Sequence, residues 1–203
     1  MEPIRRSMKR VIIPCLALVV LISAYLAIST SAPSVKAPPT PIRSDLAEEY
    51  FNQAVIHYDQ GEYRLAIEAL ARAIELAPQF AEPYTHRGLA YAKMGDYQKA
   101  IQDHSKVLQL RPQSAVAYCN RGDVYYELKD YAQAIQDYSE AIRIDPQFAA
   151  AYVGQGLAYA ELGDSEKSID DLSKAIQIDP QAVMIRATEG YTPPQPCPSC
   201  GRP

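Results

Sequence analysis

The sequence predicts an all-α chain built from four stacked helical hairpins, and three observations carry that expectation. Pro78, Pro112, Pro146 and Pro180 stand 34 residues apart, and a fixed period of that length marks one supersecondary unit repeated in a stack. Within each period, aromatic and small residues recur at 3–4 spacing, so they share one helical face. Each period also carries a turn signal at its middle: Gly61, Gly95, Lys129 and Gly163. The repeated stretch runs from Ala47 to Pro180.

The third copy shows how each element arises. Tyr118, Gly122 and Tyr125 lie on one face of a first helix. Asp130-Tyr131 follows as a turn, where Asp130 can cap a second helix through its carboxylate and Gln133 can reach back. Ala134, Tyr138 and Ala141 line one face of that second helix. Pro146 ends it, because proline disfavours helical geometry in the residue before it. The other copies repeat the chemistry. Tyr50, Tyr84, Tyr118 and Tyr152 are the large bodies, and Ala54, Gly88, Gly122 and Gly156 are the small residues beside which a second helix can approach. Ala66, Ala100, Ala134 and Ser168, then Ala73, Val107, Ala141 and Ala175, are small places in the second helix. Lys129 stands where the other copies end the first helix on a left-handed glycine, at a cost of roughly 1 kcal/mol.

On these residues the chain resembles the tetratricopeptide repeat family, and the run Ala117-Tyr118-Cys119-Asn120-Arg121-Gly122 is similar to the bacterial form of the repeat. The resemblance covers about two-thirds of the chain, over residues 45–182. It departs from the family pattern at His57, His104 and Lys129. It implies a right-handed superhelical solenoid whose first helices line a concave face that holds ligand peptides. Implied at that groove are Glu48, Phe51, Asn52, Val55, Tyr58 and Asp59, then Glu82, Thr85, Leu89, Ala92 and Lys93. Val116, Cys119, Asn120, Asp123, Tyr126 and Glu127 follow, then Ala150, Val153, Leu157, Ala160 and Glu161. Asn52 and Asn120 match places where the family uses asparagine to hold a peptide backbone. The basic residues that clamp a chaperone's C-terminal carboxylate in eukaryotic relatives are not at the matching places, which argues against co-chaperone function.

Ahead of the repeats, residues 1–28 are expected to form a hydrophobic helix. Arg5, Arg6, Lys9 and Arg10 precede an apolar run from Val11 to Ile28, which as a helix spans about 27 Å against a hydrocarbon core of about 30 Å. That run exceeds the usual signal-peptide core of about 7–15 residues. It reads as an uncleaved single-pass anchor in a bacterial inner membrane. The basic end would stay cytoplasmic and the repeats would lie on the periplasmic or extracellular side. The alternative is a signal cleaved after Ser29 or Ser31, releasing a periplasmic or secreted protein. Residues 29–44, with Pro33, Pro38, Pro39 and Pro41, read as an extended linker. Residues 183–203 read as a Pro-rich, disordered tail carrying Cys197-Pro198-Ser199-Cys200.

Charge and chemistry bound the function. Residues 45–180 hold 22 acids and 12 bases, net −10, and phosphate neutralisation needs a basic surface, so nucleic acid is not an expected partner. No catalytic constellation or phosphate loop appears, and no cofactor is expected. His57 and His104 occupy places that face the packed interior; His86 is expected near the groove surface. A Cys-x-x-Cys pair such as Cys197 and Cys200 is half of a zinc site or a redox pair. A structural zinc needs four ligands, and Cys15 and Cys119, in the apolar run and inside a helix, lie too far away to complete it. The sequence therefore reads as a non-enzymatic, membrane-tethered scaffold binding proteins or peptides that carry basic and aliphatic side chains. A metal-binding or redox protein acting through Cys197 and Cys200, with the repeats as its docking arm, is the alternative.

Overall fold

A computed structural model of the protein describes residues 41–182. The anchor expected over 1–28, most of the linker, and the tail with Cys197 and Cys200 lie outside the described residues. Eight helices lie wholly within the described residues: α1 (Pro41–Asp59), α2 (Tyr63–Leu76), α3 (Ala81–Lys93), α4 (Tyr97–Leu110), α5 (Ala115–Glu127), α6 (Tyr131–Ile144), α7 (Ala149–Glu161) and α8 (Ser165–Ile178), and a further helical stretch begins at Pro180. No strand occurs among the described residues. Each hairpin packs its two helices together and then packs on the next hairpin in sequence. α1 starts four residues inside the stretch read as linker, at Pro41. Proline is tolerated there because a first-turn residue needs no intrahelical N–H bond.

The turns form as their residues dictate. Gly61, Gly95 and Gly163 have φ of 79°, 81° and 80°, and Lys129 is held at 62° in the same role. The Lys129 amide donates to the Tyr126 carbonyl at 2.8 Å, and the Asp130 amide donates to that of Tyr125 at 2.9 Å. The helix C-terminus thus holds a side-chain-bearing residue in glycine geometry. Asp130 and Asp164 cap α6 and α8 by accepting from the Gln133 and Lys167 amides at 3.3 and 3.2 Å. Asp96 makes no such cap and instead pairs with Lys99 at 2.8 Å.

The core is a series of small clusters strung along the stack. Around the third hairpin, Cys119, Ala134, Tyr138, Ala141, Ala151 and Ala158 are fully buried together. Small residues set the approach between helices: a Cβ on Gly122 would lie 3.3 Å from the Ala134 carbonyl oxygen. Junctions between hairpins are fitted by volume. A Cβ on Gly154 would lie 2.5 Å from Tyr138 Cζ, so the tyrosine ring fills the space that glycine leaves. The places equivalent to Tyr138 and Gly154 hold Leu70 and His86 at the first junction, and His104 and Asn120 at the second, all buried.

Two histidine expectations change in the structure. His104 is fully buried as expected; its ring nitrogens find no partner, and burial, reinforced by Arg121, pushes its pKa down to about 3. His57 is not in the interior: no earlier hairpin is described over α1, and the ring is half-buried with Nδ1 2.6 Å from Glu62 Oε2. His86 is buried rather than at the groove surface. Its ring meets Phe51 edge-on at 4.9 Å, and burial lowers its pKa.

Candidate functional site

The candidate site is the face made by the first helices, where α1, α3, α5 and α7 follow one another. Helical spacing brings five places of each repeat to that face, and the structure divides them into rim and floor. The rim is charged. Glu48, Asp59, Glu127 and Glu161 are exposed, with Lys93 half-buried among them. Glu82 is partly neutralised, since its Oε1 accepts from Arg111 at 2.7 Å. Glu161 accepts a hydrogen bond from the Tyr131 hydroxyl at 3.3 Å.

The floor is open at some places and closed at others. Phe51, Val55 and Tyr58 in α1, and Leu157 in α7, are half-buried with surface still open. Phe51 is fixed edge-on against Phe80 at 5.4 Å. Tyr58 packs against Tyr63, and its hydroxyl is pushed up to about 12 by burial and then by Tyr63 and Asp59. Thr85 is turned back onto the Ala81 carbonyl at 3.4 Å. Tyr126 is half-buried against Tyr131.

Leu89, Cys119, Val153, Asn120 and Asp123 offer no such surface; each is buried. Asp123 is 1% exposed and accepts from the Tyr138 hydroxyl at 2.6 Å. It belongs to the third hairpin's core rather than to an acidic rim, because Tyr138 reaches it from behind. Asn120 is fully buried at the junction with the second hairpin, while Asn52 at the equivalent place in α1 is exposed. Of the two asparagines expected to hold a peptide backbone, only Asn52 is accessible.

Sequence reasoning passed over a pair of buried clamps. Arg87 donates through Nε and one terminal nitrogen to both Asp103 oxygens at 2.8 Å, and Arg121 does the same to Asp137 at 2.8 Å. The acids are nearly buried and the arginines one-fifth exposed. Such forked pairs fix geometry as well as charge. Their hydrogen bonds raise both guanidinium pKa values. The signal was available in the sequence: arginine and aspartate recur at the same two places of the second and third copies, 16 residues apart. Among the described residues, no three metal-capable side chains gather, and no helix is long and apolar enough to cross a membrane.

Comparison with known families completes the picture. A tetratricopeptide repeat profile matches residues 115–148 and 149–181, and a related TPR profile matches 54–95 and 88–129. The chain belongs to the tetratricopeptide repeat family. As a tetratricopeptide-repeat protein it has the architecture of a protein-interaction scaffold. Among solved structures it is similar to a crystal structure of MamA, with 26% identity, 80% of this chain and 89% of that one covered, and a TM-score of 0.62. It is also similar to MamA from Desulfovibrio magneticus RS-1, residue 41 to the end. There the identity is 32%, the coverage 68% and 77%, and the TM-score 0.62. The first TPR of Spaghetti (RPAP3), solved bound to an HSP90 peptide, shares the fold at 22% identity, 59% and 95% coverage and a TM-score of 0.57. Comparison with curated protein sequences returns no match.

Proposed function

We propose that this repeat protein is a non-enzymatic adaptor tethered to a bacterial inner membrane, its right-handed array held on the periplasmic side. Its first-helix face takes up extended or helical segments bearing Lys or Arg beside aliphatic residues. The observation that carries this reading is the division of the face. Exposed Glu48, Asp59, Glu127 and Glu161 form the rim, while Phe51, Val55 and Leu157 keep open apolar surface between them. Acidic rims speed the approach of cationic partners, and apolar floors supply affinity after contact. The HSP90 peptide in the Spaghetti structure is SRMEEVD, whose acidic end this rim would repel. The tether rests on the basic and apolar pattern of residues 1–28.

Paired peptide titrations test the binding. A Lys- and Leu-containing peptide should bind, more weakly as salt rises, because screening shortens to about 8 Å at physiological ionic strength. An acidic peptide of equal length should bind much worse. Reversing Glu127 and Glu161 to Lys should slow association, whereas Val55→Ala should speed dissociation. Preference for the acidic peptide would remove the groove assignment. For the tether, the protein should stay with membranes through a carbonate wash. A mature N-terminus at Thr30 or Ala32 would instead establish a released protein.

A further inference from the structure

The described array has unfinished faces at both ends. In the first three hairpins the apolar residues on the outer side of the second helix are half-buried: Ile67 and Ile74, Ile101 and Leu108, Ile135 and Ile142. Their counterparts in the last hairpin, Ile169 and Ile176, are 63% and 49% exposed. A repeat that ends a stack ordinarily turns a polar face outward, and this one keeps the apolar residues of an internal copy. At the other end, Tyr50, Gln53, His57, Leu65 and Arg72 border an open hollow of about 540 Å³. Leu65 is exposed where the later copies have Lys99, Gln133 and Lys167.

We propose that these two end faces fit each other, so that a second copy of this chain docks head to tail and continues the stack. The α6–α7 junction is the template. There Gln155 donates to Ser139 Oγ at 2.6 Å and to the Ile135 carbonyl at 3.3 Å. The hydrogen-bonding places and the apolar residues flanking them recur at the ends in the same residue types, while Leu172 and Asn52 stand where that junction has Tyr138 and Gly154. Ile169, Ser173 and Ile176 stand for Ile135, Ser139 and Ile142; Tyr50 and Gln53 stand for Tyr152 and Gln155. A docked copy sets Gln53 against Ser173 by the translation the chain already applies within itself. Ile169 and Ile176 leave water in the same step. The contact is heterologous, so it does not close on itself and it builds a linear series. The repeats carry net −10, so like-charge repulsion opposes association at low salt and screening strengthens it.

Sedimentation of the full chain in detergent micelles tests this with two variants, each blocked at one end. Gln53→Glu blocks the head, since its carboxylate cannot donate to the Ile169 carbonyl and is repelled by it, and Ile169→Lys with Ile176→Lys blocks the tail. These are surface places except for part of the hollow, and Ile169→Ser with Ile176→Ser serves if the lysines disturb the helix. The native chain should gain mass with concentration, and more readily at higher salt. Each blocked variant alone should stay a monomer. An equal mixture should give particles of twice the monomer protein mass and nothing larger, because one good head then meets one good tail. A native chain that stays monomeric throughout would overturn the proposal and point to the chain's own residues 183–203 as the cover. Association of either blocked variant by itself would overturn it too, placing the contact on like ends or in the membrane segment.

Discussion

The second and third hairpins hold themselves with an arginine–aspartate clamp, and the first and fourth do not. The two exceptions differ from each other. In the first hairpin both partners are gone, with Gln53 and Ala69 at their places. In the fourth, the acid remains as Asp171 while Gln155 has replaced the arginine and turned to Ser139. Asp171 is left with Oδ2 buried and unpartnered, its pKa raised to about 6 by burial and then by Asp170. Losing a whole polar pair costs little, whereas losing half of one strands the other half. The first hairpin has shed the clamp, and the fourth carries its remnant.

Arg121→Ala would make the third hairpin worse than the fourth. It strands Asp137, which is more deeply buried than Asp171, and should cost about 3 kcal/mol in thermal or urea unfolding. A cost near zero would mean that water reaches Asp137 and the clamp is only a surface pair. Gly154→Ala strikes the junction instead. Its new Cβ meets the Tyr138 ring, and overpacking there should cost roughly 1–3 kcal/mol.

Gln155→Arg should move the fourth hairpin towards the third, gaining about 1 kcal/mol at neutral pH. The pH dependence sharpens the test. Asp171 has a folded pKa above its unfolded value, so its contribution is fully present below about pH 4 and is lost as pH rises through about 6. His104 acts oppositely: its folded pKa is depressed to about 3, so stability falls as pH drops from about 6.5 towards that value. Subtracting the native profile from that of Gln155→Arg leaves His104 out, and the difference should grow between pH 4 and 6. A flat difference would show that the new arginine never reaches Asp171. Smallest of the set, Lys129→Gly should stabilise by roughly 1 kcal/mol by relieving the left-handed lysine, offset in part by the greater freedom of unfolded glycine. Melting of the two proteins side by side measures it.

The hairpins themselves were legible because period, glycine, cap and proline are local signals. Lys129 at positive φ and Asp130 as a cap needed no tertiary knowledge. The binding face was legible only as a list of helical places. Whether Asp123 meets a ligand or Tyr138 depends on how far a side chain from the paired helix reaches, and spacing within one helix is silent about that. The same holds for Leu89 and Val153, closed over by neighbouring packing. His86 was misplaced because the ring that covers it, Phe51, belongs to a different hairpin.

The fit of Tyr138 against Gly154 makes the four copies unlike blank links in a chain. Remove the third copy, and His104 would face Gly154, leaving a void where a phenol ring now sits. Duplicate the third, and Tyr138 would be pressed onto an asparagine. Each join accepts one neighbour by shape, so the copies are keyed to their order. Repeats of this protein cannot be shuffled, dropped or multiplied as interchangeable modules unless the key at each new join is recut.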